Sequence, residues 1–403
     1  MRYDFDREID RRRTNSAKWE FIQSEGDLLQ WEHTDRFFGE GRTLPMWVAD
    51  MDFACPKPVV EALVARAAHG IYGYTAPTES YDQALIGWMR RRQGWEISRE
   101  WICFSPGVVP ALCMLVQAFT NPGEAVLIQP PVYYPFFSAI AKNGAVTVTN
   151  PLILESGRYR MDYDDLARKA ADPRVKMAIL CSPHNPISRV WSRQELQRFA
   201  EICLEHDILI VSDEIHGDLI LPGHTFTPFA ALGGEMAEKA IICTAPSKTF
   251  NLAGLHTSNI IVPDADLRAR FRRTLDKNGV FDITAFGLVA LEAAYNQGED
   301  WLTQVLEYLQ GNVAYLREYV ATHIPQISVI EPEGTYLVWL DCRRLGLGKL
   351  ELKHLMLKRA KVYLDEGYIF GEEGEGFERI NIACPRSVLA EALERIRDAI
   401  ASL

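Results

Sequence analysis

The chain has 403 residues, 48% of them hydrophobic and 24% charged, enough for a large core and for two or three domain-sized units. Its 43 Lys+Arg against 54 Asp+Glu give a net charge of −11, which argues against a nucleic-acid-tracking surface but leaves room for a local pocket that takes one small phosphate. No apolar run reaches the about 20 residues of a membrane span, the opening MRYDFDREIDRRRTNS lacks the apolar core of a signal peptide, and the eight cysteines include no CxxC pair; a cytoplasmic protein is expected, with buried thiols and with neither disulfides nor a metal site.

In chain order, residues 1–50 have weak periodicity and are expected to pack on a small unit built further along the chain. Residues 51–285 read as a large α/β domain. Within it, short apolar runs at 125–129, 145–149, 177–181, 208–212, 240–244 and 258–262 alternate with amphipathic stretches such as 192–206. Short buried strands alternating with helices predict a mostly parallel central sheet flanked by helices. Residues 286–403 read as a smaller α+β domain. It has long helices over 286–323 broken near Gly298, a strand at 335–341, a helix near 350–360, a strand at 379–383 and a closing helix at 387–402.

Five segments carry candidate chemistry. In FSPGVVPALCMLVQAF (104–119), Gly107 precedes a helix, and the free N–H groups of Val108 and Val109 suit a phosphate. A glycine before a helix is also common without any ligand. An aromatic turn follows, PPVYYPF (130–136). In MAILCSPHNPISRVW (177–191) an apolar run ends at the turn dipeptide Asn185-Pro186, either a plain loop or an amide poised to donate. In ILIVSDEIHGDLIL (208–221), Asp213 stands just past a strand, where parallel sheets place functional side chains and where a helix cap or turn former also fits. In TAPSKTFNLAGL (244–255), Lys248 sits among small residues with Phe250, Leu252 and Leu255 nearby. Most lysines are solvated surface groups; a partly buried one loses basicity and becomes a nucleophile towards carbonyls. The gaps, 213 − 185 = 28 and 248 − 213 = 35 residues, are each about one strand–helix unit, so successive strands deliver Asn185, Asp213 and Lys248 to one sheet edge.

This series resembles fold type I pyridoxal-phosphate enzymes of the aminotransferase class I/II superfamily, over essentially the whole chain. Within it, PMWVADMDFACPKPVVEAL (45–63), YGYTAP (72–77), SPGVVPAL (105–112), PHNPISRVW (183–191), SDEIHGDL (212–219), APSKTFNLAGL (245–255) and FERINIACPRS (377–387) resemble the cystathionine β-lyase, or C–S lyase, subgroup. The resemblance implies that Lys248 carries the cofactor as a Schiff base, Asp213 pairs with the pyridine nitrogen and Asn185 donates to the ring oxygen. It further implies that Tyr133 stacks on the ring and that Val108, Val109 and Ser247 contact the phosphate. Arg379 would grip the substrate carboxylate, with Trp47, Val48 and Ala49 walling the substrate side. Tyr74 would reach the phosphate of a neighbouring subunit, so that a homodimer shares its sites. The implied activity is β-elimination from cystathionine or a related cysteine S-conjugate, with an aminotransferase as the alternative. Three positions depart from the wider superfamily. His216 stands where a tyrosine is common near the ring oxygen, His256 where a phosphate-binding arginine is common, and Ser188 where the NPxG turn has glycine.

Overall fold

The computed structural model describes residues 2–24, 27–30 and 43–403. The parts of the N-terminal segment at 25–26 and 31–42 lie outside the described residues. A seven-stranded sheet forms the centre, in the order Ile102–Ser105, Ser258–Ile261, Ala240–Thr244, Leu209–Asp213, Val175–Cys181, Ala125–Ile128, Val146–Thr149. The last five of these run parallel, and Ser258–Ile261 is antiparallel to both of its neighbours. The inner strands read as unbroken apolar runs because helices cover both faces: every residue of Ala125–Ile128 and of Ala240–Thr244 is buried. Helix Val108–Phe119 covers one face with its Leu112, Leu115 and Val116. Helix Arg193–Glu205 covers the other, started by a capping box in which Ser192 and Glu195 exchange backbone bonds. The edge strand Ile102–Ser105 was not foreseen; four residues leading straight into a turn and helix carry too little periodicity to stand out.

A second, antiparallel sheet has the order Ser328–Val329, Leu337–Asp341, Phe377–Asn381, Asp365–Glu366. Its two longer strands match the expected ones within two residues, whereas its two-residue strands were missed. The long helices are Ala285–Gln297 and Glu299–His323. They part at Gly298, where a β-carbon would lie 2.5 Å from the Ala294 carbonyl oxygen and 2.6 Å from the Phe250 ring. Near the chain start, Leu44–Pro45 pairs in parallel with Val362–Tyr363. Among the described residues no helix is long and apolar enough to cross a membrane.

Candidate active site

The carboxyl ends of the parallel strands surround a cavity of ≈ 240 Å³. Each strand end contributes one piece of wall. After Ile102–Ser105 the chain turns through Gly107, held by a Ser105 hydroxyl bond to the Gly107 carbonyl at 2.9 Å, and Val108 and Val109 begin the helix. Their N–H groups belong to the first helical turn, which has no intrahelical acceptor for them. After Ala125–Ile128 comes Tyr133, half-buried on the wall. After Val175–Cys181 comes Asn185, whose backbone N–H meets the Cys181 sulfur at 3.4 Å. Its Oδ1 accepts from Arg379 Nη1 at 2.9 Å, which leaves the Nδ2 edge for the cavity.

Asp213 ends its strand with Oδ1 accepting from the Ile215 N–H at 3.2 Å. Burial pushes its carboxyl up to about 7, against the pull of that N–H and of Lys248. Ser247 and Lys248 sit in the single turn Pro246–Thr249 that follows Ala240–Thr244. Lys248 Nζ donates to the Ala49 carbonyl at 2.7 Å. Burial lowers its ammonium to about 8; Asp50 opposes the fall and Arg379 adds to it. The amine therefore loses its proton far more readily than a surface lysine.

The two histidines differ in setting. His216 is buried on the cavity wall, edge-on to the Tyr336 ring with centroids 6.1 Å apart, and its Nδ1 has no partner. Burial, with Lys248 and Arg379 adding to it, holds it at about 3, so the ring is neutral. His256 is exposed on the rim with φ of 51°. Ser188 adopts the left-handed φ of 55° that glycine takes freely, and its buried hydroxyl bonds the Leu337 carbonyl.

Four expected residues, Trp47, Val48, Arg379 and Tyr74, do not lie on the cavity wall. Trp47 turns its indole onto Tyr363, rings 4.6 Å apart, and donates from Nε1 to the Lys18 carbonyl at 3.1 Å; its own carbonyl faces Arg379. Arg379 is buried behind Asn185 and ion-paired to Asp365. Tyr74 is 99% exposed, away from the cavity. Ala49, in contrast, lies on the wall within a strap, residues 47–53, tied from many sides. Asn381 Nδ2 donates to the carbonyls of Val48 and Asp50, the Tyr336 hydroxyl donates to the Ala49 carbonyl, and Arg11 and Lys18 pair with Asp52. Sequence reasoning missed Asp365, Asp50 and Tyr336. None sits at the end of a strand of the large sheet, the signal that exposed Asn185 and Asp213.

Fold and wall together define an α/β enzyme scaffold with an amine, a carboxylate and a helix start converging on one cavity. The model of the family "Aminotransferase class I and II" matches residues 45–396, and the chain belongs to that family. It is 47% identical over 372 residues to the cystathionine beta-lyase PatB of Bacillus subtilis, covering 92% of this chain and 96% of that protein. Among solved structures it is similar to cystalysin from Treponema denticola, which contains a pyridoxal 5'-phosphate cofactor (38% identity, TM-score 0.94, 100% of each chain covered). It is also similar to the pyridoxal-phosphate-bound C–S lyase of Staphylococcus hominis (35% identity, TM-score 0.89, 99% of this chain and 98% of that one).

Proposed function

We propose that this chain is a pyridoxal-phosphate-dependent carbon–sulfur β-lyase. It would cleave cystathionine or a related cysteine S-conjugate, with water, to a thiol, pyruvate and ammonia. The observation that carries the reading is the weakly basic amine of Lys248 sharing a cavity with the buried carboxylate of Asp213. The 47% identity to the Bacillus subtilis cystathionine beta-lyase supports the lyase over the aminotransferase.

The wall suits this cofactor. Asp213 is a buried acid with no cation hydrogen-bonded to it among the described residues, apt for a ring nitrogen that stays protonated. The helix-start N–H groups of Val108 and Val109, with the Ser247 hydroxyl, suit the phosphate. The Nδ2 edge of Asn185 suits the ring oxygen, Tyr133 suits the ring face, and His216 lies on the same wall as a neutral imidazole. When bound, the cofactor supplies an electron-withdrawing ring that takes up the electron pair left at the substrate's α-carbon. Lys248 is read as its covalent anchor and as the base that takes and holds the α-proton; an amine whose basicity is lowered to about 8 gives up its proton readily enough for both roles. Arg379 is read as the grip on the α-carboxylate, a planar two-pronged donor for a planar acceptor. The 47–53 strap closes the substrate side, through Ala49 directly and through the Trp47 carbonyl behind it.

A homodimer with shared sites belongs to the same reading. Tyr74 is 99% exposed and follows exposed Val64, Ile71 and Tyr72 in the chain, uncovered apolar side chains suited to a second copy of the chain. Cytoplasmic action is part of the reading as well, on the strength of eight cysteines that are all unpaired. We likewise divide the chain at about residues 50 and 285, the two sheets falling on either side of the second boundary.

The deciding assay supplies purified holoprotein with cystathionine and no 2-oxo acid. Pyruvate, ammonia and free thiol should appear in equal amounts. Turnover that requires an added 2-oxo acid would replace the lyase reading with the aminotransferase.

A further inference from the structure

Arg379 is occupied in this structure. Its Nη1 donates to Asn185 Oδ1 at 2.9 Å. Its Nη2 donates to the Trp47 carbonyl at 2.8 Å and also to Asp365 Oδ2. Its Nε has no partner among the described residues. A guanidinium has five N–H groups, and both of its two-pronged faces, Nη1/Nη2 and Nε/Nη2, use Nη2. Both hydrogens of Nη2 are engaged. An incoming carboxylate therefore gains a two-pronged contact only if one of the two acceptors on Nη2 withdraws.

The two acceptors are not equally free to move. The Trp47 carbonyl is backbone, next to Met46, whose N–H bonds the Tyr363 carbonyl at 2.8 Å and whose carbonyl accepts the Asn381 N–H at 2.8 Å. Asp365 holds Arg379 through a rotatable side chain, on a two-residue strand where it sits directly opposite Arg379 in register. Both charges are buried, and the guanidinium also lies 5.0 Å above the Phe370 ring.

We propose that Asp365 is an internal stand-in for the substrate carboxylate, occupying the prong of Arg379 that an amino acid needs, so that binding exchanges one carboxylate for the other. The proposal rests on Arg379 being the carboxylate grip. It makes Asp365 a positioning residue that sets which acids are accepted: a ligand must offer a carboxylate that competes with one already in place. Glu366 and the phenols of Tyr133, Tyr134 and Tyr363 lie near enough to Asp365 to exchange charge effects with it. Burial already lifts its carboxyl to about 6 against the pull of Arg379, so without the guanidinium it is ready to take up a proton.

The test uses holoprotein and two probes: L-alanine, which has no leaving group on its β-carbon, and ethylamine, which is alanine without its carboxylate. Dissociation constants are read by calorimetry and by titrating the cofactor's visible absorbance. Relieving the competition raises the competent fraction, so Asp365→Asn and Asp365→Ser should each bind L-alanine about tenfold more tightly, with ethylamine within about twofold of wild type. If Asp365 only orients Arg379, L-alanine binds these folded variants no better or more weakly, and the proposal falls. Should neither variant keep its cofactor, a crystal structure of the wild type with L-alanine decides. Asp365 withdrawn from Nη2 supports the exchange, and an intact pair beside bound alanine overturns it. Arg379→Lys is expected to weaken L-alanine alone; if it does not, the grip itself is misassigned, a failure separate from that of Asp365.

Discussion

Lys248 owes its weak basicity to desolvation in the cavity, with Arg379 adding to it, while its amine is held by the Ala49 carbonyl at 2.7 Å. Borohydride treatment of the holoprotein should fix the cofactor to Lys248 alone, as read by mass spectrometry of a digest. Label on any other lysine rejects the assignment. Glu214, next to Asp213, offers a cleaner electrostatic test because it stands off the cavity wall. Its Oε1 accepts from the Ser212 hydroxyl at 3.0 Å and the Phe229 N–H at 2.7 Å, while Oε2 is buried without a partner. Burial raises its carboxyl to about 8. Below its unfolded value of about 4.3 it is protonated in both states and costs nothing; between there and about 8 the folded state holds the extra proton, so stability falls as pH rises. Glu214→Gln mimics the protonated form. Its melting temperature should match wild type near pH 4, exceed it increasingly up to about pH 8 and level off above that; a difference that does not change with pH would contradict a protonated Glu214. The chemical types at the strand ends were legible because a Lys, an Asp and an Asn follow apolar runs at regular intervals. Asp365 was not, because its role exists only through the strand opposite, and two residues carry no period.

At the scale of elements, the turn that bears Asn185 is braced by a buried arginine. Arg189 Nε donates to the Tyr159 carbonyl at 2.9 Å, Nη2 reaches Glu195 at 2.5 Å, and Nη1 pairs with Glu333, which also accepts from the Val190 N–H. One side chain thus ties the turn to the start of helix Arg193–Glu205 and to the segment leading into the second sheet. Arg189→Met keeps the bulk but leaves Glu333 buried without this cation. It should lose about 3–5 kcal/mol of unfolding free energy, read from urea midpoints. A loss under about 1 kcal/mol would mean that the exposed Arg158, 3.0 Å from Glu333, suffices. The helices starting at Val108, Arg193, Ala285, Glu299 and Arg386 and the longer strands of both sheets were legible from periodicity and the break at Gly298, whereas helices such as Lys57–Ala68, Glu79–Gln93 and Ala265–Lys277 went unread. The short strands Leu44–Pro45, Val362–Tyr363 and Asp365–Glu366 were not legible, since they are fixed by partners elsewhere in the chain, and the three-residue arms of the hairpin Ile153–Glu155 with Arg158–Arg160 are too short to show a period.

For the whole molecule, the arrangement of Tyr74 makes a specific demand on assembly. If each site borrows Tyr74 from a second copy, mixing inactive Tyr74→Ala and Lys248→Ala proteins should restore part of the activity through hybrid dimers, which contain one site with both residues intact. A monomer that is fully active at assay concentration rules this out. A shared site cannot be read from periodicity; the feature that bears on the proposed dimer is the run of large apolar side chains left uncovered around residues 60–74.

The edge strand Ile102–Ser105 has a consequence for biosynthesis. Its neighbour in the sheet is Ser258–Ile261, and the Ser258 hydroxyl bonds the Ser105 carbonyl at 2.9 Å across 153 residues of chain. The strap at 47–53 waits longer still, since the Asp52 N–H bonds the Ala383 carbonyl. A nascent chain emerging at about 5–20 residues per second therefore exposes the Gly107 turn well before the strand that buttresses it exists. The pieces of the cavity wall are made in one order and brought together in another, and only a nearly finished polypeptide can close the site around its ligand.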